Sequence, residues 1–303
     1  VMDRTRTRFG RFRMWFSIGT PVVVLGAWLL FMARPGVSET YLWIGLLIIY
    51  AGQSMTTLSQ MAWAAVLSPE YNQRSRIYGW WQAANVLGMI IVLAAPAVLE
   101  TWGGFTRAEG VRVMGWFIIV LMPLTLMLAL LKVPEPSVVA EKDRSSLSDY
   151  LALFKRKSVQ RLLAADIIIN TGPAVTGSLF FFYFLTIKEF NSALAGFLLL
   201  FYFVGAFAGG PLWVRVSYRL GKHQTLALAA VIYAATQIGV LLMPAGLFGL
   251  AAALMFLAGL PFSAGPFLLR SMMADVADEE RLMTGKDRTG LLYAILQGSI
   301  KVG

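Results

Sequence analysis

Apolar runs long enough to cross a bilayer recur along the whole chain, and they restrict its fold more than any other feature. Eight lie near residues 14–33, 41–66, 77–99, 113–131, 159–187, 191–214, 224–243 and 247–269, and a ninth begins near Thr289. About 20 such residues, as helix, span the ~30 Å hydrocarbon layer. Of the 303 residues, 58% are hydrophobic and 14% charged, against about 25% charged in soluble domains. A water-facing surface could not be covered by so few charges, so the solvent is lipid. A transmembrane barrel would show segments of about ten residues alternating apolar and polar. None is present, and the expected fold class is all-α and polytopic. The basic opening stretch leads into a full-length span, unlike a signal peptide. With no cysteine in the chain, disulfides and thiolate chemistry are excluded.

The net charge of +10 raises nucleic acid as a partner, but the distribution of that charge points to membrane topology. Of 26 Lys and Arg, 21 fall in alternate segments: residues 1–13, Arg74 and Arg76, 132–161, 215–222 and 270–288. The intervening segments hold only Arg34, Arg107, Arg112 and Lys188. Positive charge is retained on the cytoplasmic side, which orients residues 1–13 and the 132–161 segment inward. The opening arginines lack the interleaved aromatic platform of single-strand binders, so no nucleic-acid partner is expected.

The chain repeats itself. TRTRFGRFRMW precedes an apolar run as VSYRLGKHQTLALA does, which sets Gly10-Arg11 opposite Gly221-Lys222 at an offset of 211. Arg74-Ser75-Arg76 before Tyr78-Gly79 and Lys286-Asp287-Arg288 before Thr289-Gly290 give nearly the same offset. Repeated halves are a mark of transporters. If the halves correspond, the spans near 159–187 and 191–214 need partners before Val1. The expected reading is therefore a fragment carrying helices 3 to 10 and the start of 11 of a two-bundle fold with 12 helices. The expected domains are a first bundle over 1–132, a linker over 133–158 and a second bundle over 159–303. Residues 145–157 of the linker, with a helix N-cap start, suit a short amphipathic helix on the membrane surface.

Two such halves with a basic loop between the second and third helices resemble the major facilitator superfamily. DRTRTRFGRFRMW, AWAAVLSPEYNQRSRIYGWW and SMMADVADEERLMTGKDRTGLLYAILQGSIKVG together resemble its glycoside-pentoside-hexuronide:cation symporters, the melibiose-carrier-like branch. That resemblance implies alternating access, with a cation moving alongside a sugar or similar solute. It implies cation coupling at the position of Thr56 and sugar stacking at Trp63. The sequence departs from the family at Ser59, where the sugar carriers have an aspartate, and at Ala84, where they have a sugar-contacting arginine. Lys301 matches a lysine lining the family's cavity, with Gln297 on the same helix.

The residues themselves add candidates. Gln53, Thr56, Gln60 and Trp63 follow at spacings of 3, 4 and 3, which puts them on one helical face with Ser59 at its edge. Gln82 and Asn85 offer neutral hydrogen-bonding groups about one turn apart. Asp166 is the acid well inside an apolar run, with Asn170 one turn on and Gly172-Pro173 beyond, and an ionisable group there is a candidate for coupling; pairing with a nearby basic group is the alternative. Asp3, Arg11, Arg74, Arg76, Asp275, Asp278 and Arg288 lie at the basic ends of the spans, where opposite charges can pair across the halves in one state and part in the other. His223 has no second ligand for a metal site, and no metal or cofactor is expected. Two other functions are open. A lysolipid carrier needs a lateral opening and a more apolar cavity, and a membrane enzyme needs an acidic metal site such as Asp275, Asp278, Glu279 and Glu280. The expected partners are a small solute, a coupling proton or sodium ion, and the lipid bilayer. The chain is expected to be a monomer in the cell inner membrane.

Overall fold

The computed structural model describes residues 7, 9–34, 36–68, 70–135, 153–285 and 287–300. Among these residues the regular structure is helical throughout. In chain order the helices are α1 (Arg11–Phe31), α2 (Glu39–Val66), α3 (Tyr71–Gly103), α4 (Arg107–Lys132), α5 (Lys157–Phe182), α6 (Ser192–Leu220), α7 (Lys222–Leu242), α8 (Phe248–Phe262), α9 (Ala264–Thr284) and α10 (Thr289–Ile300). A five-residue π-helical turn, Tyr183–Ile187, extends α5. Among the described residues, eight helical runs are long and apolar enough to cross a membrane, the last being Phe248–Thr284, which joins α8 to α9 through a break at Ser263. The fold is that of a polytopic membrane protein. The amphipathic helix expected over 145–157 falls mostly outside the described residues.

The helix starts follow the charge pattern of the segments. Three that follow segments poor in Lys and Arg are closed by local caps, α8 after Leu247 being the exception: the Ser38 hydroxyl accepts from the Tyr41 amide, Thr106 and Glu109 form a capping box, and Asn191 accepts from the Leu194 amide. These caps satisfy amides that the first turn leaves unpaired. At the basic ends, α1 and α7 instead start after Gly10 and Gly221, with φ of 96° and 78° and no side-chain cap. The two glycines are repeat equivalents, and both sit in the left-handed region where a Cβ would be strained.

The 270–288 segment, expected as a loop, is mostly helix. Hydropathy falls after residue 269, but nothing in RSMMADVADEERLMT breaks a helix before Gly285, whose φ is 70°. Asp275, Asp278 and Glu280 therefore stand on α9.

The chain packs as two compact units, one of Val1–Ser68, Val92–Ser146 and Ala277–Ala294, the other of Pro69–Ile91, Leu147–Val276 and Ile295–Gly303. In the first, α1 and α2 meet on glycine: a Cβ on Gly26 would stand 2.7 Å from the Ile49 backbone, and one on Gly52 would stand 2.6 Å from the Val23 nitrogen. Small residues permit this close approach where lipid gives helices no hydrophobic drive to associate. In the second unit α6 and α8 touch at Gly205, Gly209 and Gly259, each facing a backbone carbonyl of the other helix. A buried aromatic cluster of Phe180, Phe184, Phe190 and Tyr202 fills the same unit. Lys188 closes the end of α7 by donating to the Met243 carbonyl at 2.6 Å, the favoured place for a cation on a helix dipole.

Candidate functional site

The stripe on α2 is split by packing. Gln53 is exposed and Gln60 half-buried. Thr56 is buried, donates to the Gln53 carbonyl at 3.0 Å and lies against Gly19 of α1. Ser59 is fully buried and donates to the Met55 carbonyl at 2.5 Å. Because α1 approaches on glycine, it covers the face that the spacing alone leaves open. Trp63 is 4% exposed; its Nε1 donates to the Pro134 carbonyl at 3.1 Å, Phe16 meets it edge-on, and the Arg13 guanidinium lies 5.7 Å from its ring. In this state its ring is a packing surface under the residues that follow α4, not an open stacking platform.

Within the second unit a different set of polar groups comes together. Asp166 of α5 is 2% exposed. One carboxylate oxygen accepts from Asn170 Nδ2 at 3.0 Å, and the other accepts from the Ser299 hydroxyl of α10 at 2.7 Å. The charge of Arg270 on α9 reaches the same carboxylate. Arg270 is 9% exposed; its guanidinium stands 4.4 Å from the Trp81 ring of α3 and donates to the Pro266 carbonyl at 2.7 Å. The pattern of the sequence misleads at Arg270, whose position after the apolar run reads as loop charge. Ser299 gives no signal until Asp166 is placed opposite it. Gln82 is buried, whereas Asn85 is exposed and donates back to the Trp81 carbonyl at 2.9 Å. These two do not converge. Gln297 is half-buried, and its Oε1 has no hydrogen-bond partner among the described residues. Lys301 and Asp3 lie outside the described residues. The unit also holds a cavity of about 470 Å³ lined mainly by apolar residues, among them Leu179, Phe180, Phe203, Met255 and Phe262.

Two charged knots form at the basic helix ends. In the first unit Arg11 pairs with Asp287 at 2.5 Å, and Asp287 also accepts from the Thr289 amide and hydroxyl. Burial pushes the Asp287 carboxyl up, but the Arg11 charge and the Thr289 bonds outweigh it and hold the group below its ordinary value. The Glu135 carboxylate accepts from the amides of Arg11, Phe12 and Arg13 at 2.9, 3.1 and 3.1 Å, closing the bare start of α1 from 124 residues away. In the second unit Asp275 takes both Lys222, at 2.6 Å, and Arg74, at 3.2 Å. The Lys222 ammonium, fully buried, also lies 3.6 Å from the Tyr71 ring centroid. Of the other gate candidates, Arg288 pairs with Glu280 at 3.1 Å, Arg76 is exposed and Asp278 is half-buried on α9. The roles of Glu135, Asp287 and Lys222 in these knots have no local signature in the sequence.

The chain matches the family described as MFS/sugar transport protein over residues 1–303. Among solved structures, a crystal structure of the E. coli fucose:proton symporter FucP superposes on it with a TM-score of 0.65 at 17% identity, over 96% of this chain and 83% of that one. A structure of FucP, described as a major facilitator superfamily transporter in the outward conformation, gives 0.63 at 17% identity, over 96% and 82%. At that identity the likeness is one of fold. No curated protein sequence matches the chain.

Proposed function

The chain belongs to the MFS/sugar transport protein family, and we propose that it is a secondary active transporter that moves a sugar or related small organic solute together with a proton or sodium ion, by alternating access. Its motifs favour the melibiose-carrier-like branch of that family. The basic helix ends face the cytoplasm, in keeping with the distribution of Lys and Arg.

The observation that carries the coupling is the Asp166 site. An ionisable group inside a span is costly unless it is partnered or lines a wet path, and here both oxygens are held, one by a hydroxyl from another helix. Loss or gain of charge at Asp166 changes what Ser299 can donate to, so occupancy of the site bears on how α5 and α10 pack. Gln82 and Gln297 supply neutral hydrogen-bonding groups for a polyol, in the unit that holds Arg270 and Trp81. The knots act as the gate: Arg11 with Asp287, and Lys222 and Asp275 with Arg74 and Tyr71, join residues of the two sequence halves, as contacts that break on opening must.

The test is uptake by the protein in vesicles, under an imposed proton or sodium gradient, against hexoses, pentoses and their glycosides. At least one sugar accumulates with one gradient. Asp166→Asn keeps solute exchange but loses gradient-driven accumulation by about tenfold or more. Absence of any sugar movement overturns the function, and accumulation by Asp166→Asn at the wild-type level overturns the coupling role. A second reading, a carrier of single-chain amphiphiles, is favoured by the apolar cavity in the second unit. A lysolipid panel in the same vesicles separates the two.

A further inference from the structure

Arg76 on α3 and Arg215 on α6 line one cleft of about 250 Å³ in the second unit. Its floor is Gly79, Ala83 and Val214, and its rim carries Trp80 and Tyr218, 66% and 42% exposed. Gly79 makes the cleft narrow, because a Cβ there would run into the Val214 side chain and push α6 away. Both arginines are exposed, and among the described residues neither forms an ion pair or a side-chain hydrogen bond. Of the other basic groups near these helix ends, Arg74 and Lys222 share the Asp275 carboxylate, and Arg219 is exposed in the last turn of α6 outside the cleft lining. Two like charges around one cleft with no carboxylate between them repel, and an anion seated there relieves that repulsion.

We propose that this cleft binds the headgroup of an anionic phospholipid. Depth, chemistry and access agree on a lipid. Arg76 is five residues inside the start of α3 and Arg215 five inside the end of α6, so each stands about 8 Å from its helix end, the level of headgroups when those helices span. Trp and Tyr at the rim are the side chains that favour this interface. The guanidinium fork matches a phosphodiester in two parallel bonds, and the apolar floor gives the first carbons of an acyl chain a surface that a soluble anion would not use. Two basic groups, with no carboxylate among the described residues that line the cleft, select an anionic headgroup over a zwitterionic one. This inference is independent of which solute the protein carries.

The test is native mass spectrometry of the full chain in detergent, titrated with phosphatidylglycerol, phosphatidylcholine or inorganic phosphate. Phosphatidylglycerol binds tighter than phosphatidylcholine, and excess inorganic phosphate does not displace it. The double variant Arg76→Gln/Arg215→Gln binds phosphatidylglycerol about 30-fold more weakly, since each basic group near an anionic lipid contributes about fivefold. Arg76→Lys/Arg215→Lys keeps the charge but not the fork and binds with an affinity between those of the wild type and the glutamine variant. Wild-type affinity for phosphatidylglycerol falls as salt rises, while that for phosphatidylcholine does not; this arm stands even where a variant fails to fold. Unchanged binding by the glutamine variant, equal binding of the two lipids, displacement by inorganic phosphate at lipid concentrations, or a salt-insensitive phosphatidylglycerol affinity each overturns the proposal.

Discussion

Arg11 and Lys222 occupy equivalent places in the repeat, each just after a left-handed glycine at the start of an apolar helix. Their surroundings solve the same problem with different partners. Around Arg11 there are two carboxylates, Asp287 on the guanidinium and Glu135 on the backbone amides. Around Lys222 the Asp275 carboxylate is shared with Arg74, and the face of Tyr71 covers the ammonium. The first knot stabilises a cation and a helix end separately. The second brings two buried cations to the Asp275 carboxylate, which joins α3, α7 and α9. Both knots reach across the sequence halves. The segments that change partners are also repeat-related: Pro69–Ile91 belongs with the second unit and Ala277–Ala294 with the first.

The sharpest way to break the symmetry is at Asp275. Removing one partner of a buried ion pair leaves an uncompensated charge and costs about 3–5 kcal/mol. Asp275→Asn strands two cations, Lys222 fully buried and Arg74 nearly so, but the Asp275 side chain is itself 32% exposed and screened, so the lower end of that range is expected. Thermal unfolding in nanodiscs measures it. Asp287→Asn is expected to cost less, since Arg11 is at the edge of solvent, with its side chain 11% exposed. A larger loss at Asp287 than at Asp275 would refute the argument that a carboxylate shared by two buried cations matters more than one paired with a single cation at the edge of solvent.

The next effect concerns Glu135. Three amides at the start of α1 depend on its carboxylate, and loss of a helix cap costs about 1–2 kcal/mol. Glu135→Ala is expected to lower stability by that amount. At the α7 start the comparison is Tyr71, whose hydroxyl accepts from the Lys222 amide at 3.1 Å. Hydrogen exchange at the first turn of α1 should accelerate in Glu135→Ala and stay unchanged at α7. Equal acceleration at both would show that Glu135 acts through general stability.

These contrasts mark what the sequence could and could not reveal. The spans were legible because a run of about 20 apolar residues has few other uses. The repeat was legible because Gly10-Arg11 and Gly221-Lys222 keep their residue types. Where helices end was less so. Hydropathy stops at residue 269 while hydrogen bonding carries α9 on to Thr284, and that placed Arg270 on the wrong side of a boundary. Long-range partners were invisible: nothing in VPEP announces that Glu135 will close a helix 124 residues earlier, and Ser299 becomes meaningful only opposite Asp166. Periodicity assigned Trp63 to a polar face, but which part of a face meets a neighbour depends on how close that neighbour can come. Gly19 and Gly26 decided that.

The smallest expected effect is a response to pH at the knot of Arg11 and Asp287. The Asp287 carboxyl is held below its ordinary value in the folded protein, so its contribution is fully present above the unfolded value of about 3.9 and is lost as pH falls through the folded value. Between pH 8 and 5 the difference in stability between wild type and Asp287→Asn is therefore flat, and below about pH 4 it shrinks toward zero. The thermal midpoints of the two proteins, taken in parallel across that range, supply the measurement, and subtraction removes the titration of every other carboxylate. A difference that already narrows between pH 7 and 5 would mean that Arg11 does not hold Asp287 ionised. The bond that keeps this helix start in place would then be the Thr289 contact and not the ion pair.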